Sequence, residues 1–252
     1  MKKALFLTLI LTGFTALKAQ VDSIPVKDLR VQSGVDPTRI ISRFSYTVRY
    51  FDRSNNRSLM QNRAAYSLGI NEWSIGLRPE LITRNTGDEF QTAGGDLRLL
   101  IFRRLLETEK HSLGLSADLT LPTGRPSFGG QYLSWNPSLT YAYTIKEDLI
   151  VAASAQYLFD LQRSNGQEGL SEFTLRPFLA KFFDSGWLFV FEPRLVQDFQ
   201  QEDFQLILTP IVGKAIARGL NLNMVFEFPV DERFRNNRGW LLQFSLVKTF
   251  GS

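Results

Sequence analysis

Between Ile41 and Phe250 the chain alternates apolar and polar residues with a period of two. Phe44, Tyr46, Val48 and Tyr50 are interleaved with Ser45, Thr47 and Arg49, and Leu113, Leu115, Ala117 and Leu119 with Ser112, Gly114, Ser116 and Asp118. Leu220, Leu222, Met224, Phe226 and Phe228 repeat the pattern, and Trp240, Leu242, Phe244 and Leu246 end it. Successive side chains of a strand point to opposite faces, so this spacing predicts strands with one apolar and one polar face. Twelve are expected, near 41–51, 63–70, 73–83, 95–104, 111–121, 132–145, 149–160, 171–183, 187–197, 204–213, 219–229 and 239–250.

Strand length and connections decide which solvent the apolar face meets. Soluble strands usually run about 5–6 residues. A tilted strand crossing a membrane needs about 9–11, and most of these segments reach that length. The connections alternate short and long. Asn71-Glu72, Lys146-Glu147-Asp148 and Asp184-Ser185-Gly186 are tight turns, whereas 52–62, 84–94, 161–170 and 230–238 are longer polar loops. Short periplasmic turns alternating with longer external loops are the pattern of an outer-membrane barrel. The fold expected is therefore all-β, an up-and-down transmembrane antiparallel β-barrel of about twelve strands over residues 41–250. Its partners would be outer-membrane lipid, a small-molecule solute and the barrel-assembly machinery, the last engaged by a final strand ending on Phe250.

The first 19 residues read as a signal peptide: Lys2 and Lys3, an apolar run from Ala4 to Leu17, then Ala19 before Gln20. Residues 20–40 are polar, contain two prolines and show no period, which suits a periplasmic segment or one tucked into the barrel mouth. The net charge of +4 carries three lysines from the signal; without it 26 basic residues face 25 acidic ones. That near-balance removes the electrostatic basis for binding nucleic acid. The chain has no cysteine and one histidine, which excludes disulfides and multi-histidine metal sites, so neither a metal nor a cofactor is expected.

Alternation assigns Arg49, Arg78, Glu80, Asp96, Arg98, Asp118, Arg176, Glu192, Arg194 and Glu227 to the interior as lumen-lining candidates. With equal numbers of each sign, this set argues against strong ion selectivity. No catalytic residue is expected. A lipid hydrolase of the wall needs a serine near a histidine on the lipid face; Ser112 is adjacent to His111, so the two point to opposite faces. Five prolines interrupt strand patterns, in LRPEL, WNPSL, LRPFL, FEPRL and LTPIV. If a turn centres on Ser185, Pro177 and Pro193 face each other, with Pro210 nearby. Proline lacks the ladder donor, so these three mark a candidate lateral opening.

The loop 119–135, LTLPTGRPSFGGQYLSW, is expected outside the cell or folded into the mouth as a constriction. Its Leu121-Pro122-Thr123-Gly124, the glycine loop and the strand WNPSLTYAYTI, followed by DLIVAASAQYLF and further hairpins, resemble a family of outer-membrane transporters named after the meta-pathway of phenol degradation. The likeness covers roughly residues 95–250. It implies a barrel admitting small hydrophobic or aromatic solutes, with no functional residues to carry over. The signal's KAQ ending also resembles secreted proteins of Bacteroidota. Passive transport of small solutes is the function expected; a lipid-modifying enzyme and a purely structural barrel are the alternatives.

Overall fold

The computed structural model describes residues 25–33, 36, 38–52, 57–87, 89–231 and 239–250. The expected signal peptide and most of the loop 230–238 lie outside the described residues. A short helix, α1 (Val26–Gln32), precedes a single antiparallel sheet. The sheet closes on itself as a barrel of twelve strands. These are β1 (Ser42–Asp52), β2 (Ser58–Ile70), β3 (Trp73–Arg78 and Glu80–Asn85), β4 (Phe90–Gly94 and Leu97–Glu107), β5 (His111–Leu121) and β6 (Tyr132–Lys146). There follow β7 (Leu149–Arg163), β8 (Ser171–Phe182), β9 (Trp187–Phe191 and Arg194–Asp198), β10 (Asp203–Leu208 and Pro210–Ala217), β11 (Leu220–Pro229) and β12 (Leu241–Phe250). Strands adjacent in sequence pair with each other, and β1 pairs with both β2 and β12, Ser42 standing opposite Phe250.

The faces follow the alternation. Phe44, Tyr46, Tyr50, Leu115, Met224, Phe226 and Leu246 are exposed on the outside of a closed sheet. An apolar surface of that extent in water would drive association; in lipid it is the solvated face. Aromatic rings gather near both rims. At the long-loop end Trp240 packs between Tyr50 and Phe226, at centroid distances of 5.5 and 6.0 Å. At the tight-turn end His111 packs on Tyr143 at 5.1 Å, and Arg103 lies 5.0 Å over Trp73. Amphipathic rings at two levels match the two interfaces of a bilayer.

The strands run beyond the alternating segments at the long-loop end. Ser58–Ile70 begins five residues before the expected 63, and Phe90–Gly94 pairs with Glu80–Asn85 where a loop was expected. Above the membrane both faces of a hairpin meet water, so pairing continues after the apolar-polar alternation has stopped. The tight turns fall where expected: Asn71 adopts φ 54 and Gly186 φ 77, the left-handed backbone that short hairpins require.

Residues 25–33, 36 and 38–40 lie within the barrel at the tight-turn end. Leu29, with no exposed surface, seats against Ala142, Ile150, Phe178, Phe182 and Leu188. The Gly219 N–H donates to Gln32 Oε1 and the Asn221 side-chain amide to the Gln32 carbonyl, both at 2.8 Å. The Thr38 and Ser112 hydroxyls meet at 2.7 Å. Arg30 pairs with Asp36 at 3.1 Å, so the plug folds around its own ion pair.

Candidate functional site: the barrel lumen

Between α1 and the long-loop mouth lies a cavity of about 680 Å³. Inward-facing side chains from around the wall reach it, and their charges form a belt. Arg63 donates to Glu80 at 2.9 Å. Asp118 is shared by Arg78 at 3.4 Å and Arg98 at 3.6 Å. Glu192 receives Arg176 at 2.7 Å and Arg194 at 2.8 Å, and Glu227 receives Arg194 at 3.0 Å and Arg49 at 3.9 Å. Carboxylates bridging pairs of guanidiniums hold several strands in one network, and charge-assisted contacts of this kind are the strong ones.

Of the ten residues assigned inward by alternation, Arg49, Arg78, Arg98, Asp118, Arg176, Glu192, Arg194 and Glu227 line the cavity. Glu80 stands beside it as the partner of Arg63. Asp96 does something else: it accepts the main-chain N–H groups of Gly124 at 2.9 Å and Gly130 at 2.7 Å, pinning the loop that follows β5. The equal count of charges does not survive. Arg39, Arg43 and Arg63 also line the cavity, giving eight arginines against Asp36, Asp118, Glu192 and Glu227. Arg43 was legible by alternation, two steps before Ser45. Arg63 follows the same alternation, on the face opposite Ala64 and Tyr66.

The loop 119–135 folds into the mouth. Phe128 is buried against Leu59 and Ile82, with Phe51 and Ala93 beside them, and Arg84 lies 5.8 Å over its ring and donates to the Ser127 carbonyl. Gly129 adopts φ 131, and a Cβ there would fall 2.6 Å from Asp96 Cγ, so the close approach requires glycine. At its tight-turn end the cavity is lined by Ser33, Asp36 and Arg39 of the segment that follows α1, and the loop packs inside the long-loop mouth.

Around the proline-bearing strands the ladder lapses. Leu179 pairs with Phe191 and Leu175 with Leu195, which sets Pro177 and Pro193 level across the gap between the two halves of β9. On the next interface pairing stops between Arg194–Ile207 and Phe191–Pro210, where the Glu192 N–H reaches the Thr209 carbonyl at 3.0 Å. Between β10 and β11 it stops again, after Leu208–Phe228 and before Ile211–Val225.

His111 lies on the outer face, its Nδ1 2.7 Å from the Tyr141 hydroxyl, while Ser112 is buried inside and bonds Thr38. Among the described residues no cluster of acidic and histidine side chains is arranged to hold a metal. Outside the wall, the Lys181 ammonium donating to Asp148 holds that turn carboxyl below its ordinary value.

The family model for the MetA-pathway of phenol degradation matches residues 47–242. No curated protein gives a significant sequence match. Among solved structures the chain resembles the KdgM porin, with TM-score 0.61 and 10% identity over 83% of this chain and 99% of that one. An outer membrane channel from Pseudomonas putida F1 superposes with TM-score 0.59 and 14% identity over 84% and 96% of the two chains. The CymD monoaromatic hydrocarbon channel does so with TM-score 0.51 and 9% identity over 91% and 94%. At these identities the likeness establishes a shared barrel fold.

Proposed function

The chain belongs to the phenol-degradation MetA-pathway family, and from that premise we propose that it is a passive channel for small solutes in the bacterial outer membrane. The observation that carries this reading is a closed wall, apolar outside, around a cavity of about 680 Å³ lined by charged and hydroxyl side chains. A structural barrel has no need of such a space. The tight turns and α1 then face the periplasm and the loop 119–135 faces outward. The final strand ends on Phe250, exposed on the outer face of the wall at the tight-turn end, which supports reading it as a barrel-assembly signal. The enzyme alternative loses its base, because the one histidine is engaged with tyrosines at the tight-turn end, away from the outer leaflet where such hydrolases act.

Swelling of liposomes that contain the purified protein tests the reading, using graded neutral sugars beside small aromatic solutes. Swelling with the smallest solutes supports an aqueous route narrowed by α1 and the loop. Silence with every solute overturns it.

A second route has its own support. The ladder lapses at the same level on three successive interfaces from β8 to β11, and a wall short of hydrogen bonds there is the natural place for a lateral opening at Pro177, Pro193 and Pro210. Cysteines at the paired positions Leu175 and Leu195 would bridge β8 to β9 in a chain that has no other cysteine. Unchanged passage of apolar solutes through the bridged protein would sink that route.

A further inference from the structure

Charge is unevenly shared around the belt. On the β8–β11 side Arg176 and Arg194 are matched by Glu192 and Glu227. On the β1–β4 side Arg49, Arg63, Arg78 and Arg98 come from four consecutive strands and are answered by Glu80, by Asp118 and, at 3.9 Å from Arg49, by the Glu227 that Arg194 already engages. Arg78 and Arg98 stand directly opposite in the ladder. Like charges so placed repel unless an anion sits between them, and the one carboxylate they share is at 3.4 and 3.6 Å. The Nε atoms of Arg49 and Arg78 are buried with no hydrogen-bond partner. This wall has donors and positive charge to spare.

Below the belt, toward α1, the lining changes character. Phe178, Val190 and Val225 each stand one inward-facing step below Arg176, Glu192 and Glu227, and Phe102, Ile211 and Val247 add apolar surface among the hydroxyls of Ser74, Thr140 and Ser154. The cavity therefore sets apolar side chains within reach of a cationic wall. Its volume falls in the range of about 300–1,000 Å³ in which proteins hold small molecules.

We propose that this cavity is a binding site for small organic acids that join a carboxylate to an apolar body. The carboxylate sits on the guanidiniums of Arg78 and Arg98, flanked by Arg49 and Arg63. The planar fork of arginine matches two carboxylate oxygens at once. The apolar body rests on Leu100 and Phe102, the inward-facing residues that follow Arg98 on its own strand, where it leaves water. The inference deepens the channel reading and rests on it: the solute class that dwells in the lumen is amphipathic and anionic.

The full-length protein in detergent micelles, titrated with benzoate, benzamide and acetate by ligand-observed NMR against a micelle blank, tests the site. Benzoate is expected to bind at least about tenfold more tightly than benzamide, which lacks the charge, and than acetate, which lacks the ring. Arg78→Gln with Arg98→Gln should cut benzoate binding by about the same factor and leave benzamide unchanged. Benzoate binding no better than benzamide overturns the cationic half, and no better than acetate the apolar half. The comparison on the unaltered protein stands even if the double variant fails to fold. Liposome swelling separates the two claims: sugars that permeate while benzoate shows no preference leave a channel without this site. Benzoate that binds while nothing permeates leaves the site and removes the channel.

Discussion

Asn221 donates its side-chain amide to the main-chain carbonyl of Gln32 at 2.8 Å, across 189 residues of sequence. With the neighbouring Gly219 N–H on Gln32 Oε1, it closes the C-terminal end of a helix that is too short to persist alone. α1 exists because the barrel holds it, and the barrel's tight-turn mouth is narrowed because α1 is there.

Leu29→Asp should release this plug. The residue is fully buried among apolar side chains, and a carboxylate there has no partner, which costs several kcal/mol. The strands do not depend on it. Limited proteolysis should cut residues 25–40 in the variant and spare them in the parent, while the barrel core of both resists. Equal protection in both proteins would show that α1 is held by something other than Leu29.

A bridge between Thr38→Cys and Ser112→Cys should lock the segment in place, since their hydroxyls meet at 2.7 Å. The bridged protein is expected to conduct with a single steady level in planar bilayers, and reduction should restore fluctuation. Identical traces before and after reduction would mean that the plug does not move on the time scale of conduction.

Asp96→Ala removes the acceptor of two main-chain N–H groups, Gly124 and Gly130. Leaving two donors unsatisfied costs about 1–3 kcal/mol each, enough to free the loop that carries Phe128. Gly129→Ala should act alike, because its Cβ would collide with Asp96. Both variants should admit larger sugars than the parent in liposome swelling, with the barrel's thermal stability little changed. A size limit unmoved in both would place the constriction elsewhere.

Glu192→Gln should destabilise the barrel by about 1–3 kcal/mol, because two half-buried arginines lose their shared carboxylate. Glu192→Gln combined with Arg194→Gln should recover part of that loss. Thermal unfolding followed by the mobility difference between folded and unfolded barrels on unheated gels measures both. A single variant as stable as the parent would show that the belt is not part of what holds β8 and β9 together.

The strands were legible wherever lipid lies on one side and the lumen on the other, because only there must the two faces differ. Leu220 to Phe228 and Leu113 to Leu119 could be read residue by residue. Beyond the lipid the outer face meets water as well, so at Ser58–Gln61 and Phe90–Gly94 the paired segments carry no apolar-polar alternation and read as loops. The inward place of Arg49, Arg98 and Glu192 follows from alternation, and that of Arg63 follows equally from Ala64 and Tyr66 on the outer face. Asp96 was placed inside but its work was not, since its partners Gly124 and Gly130 lie 28 and 34 residues away. α1 left no period at all: one buried leucine and one glutamine hold it, and neither is a pattern. The register of Pro177 and Pro193 was readable because the turn at Ser185 is tight and fixes it.

The most direct test of a lumen that passes small solutes and favours anions is the current through single molecules of the purified protein in a planar bilayer under a salt gradient. A small conductance is expected, larger for Leu29→Asp, with a reversal potential of the sign set by anions, since eight arginines line the cavity against four carboxylates, with Glu80 beside it on Arg63. A reversal potential set by cations would contradict the charge assignment. A bilayer that stays silent with both the parent and Leu29→Asp would contradict the channel itself.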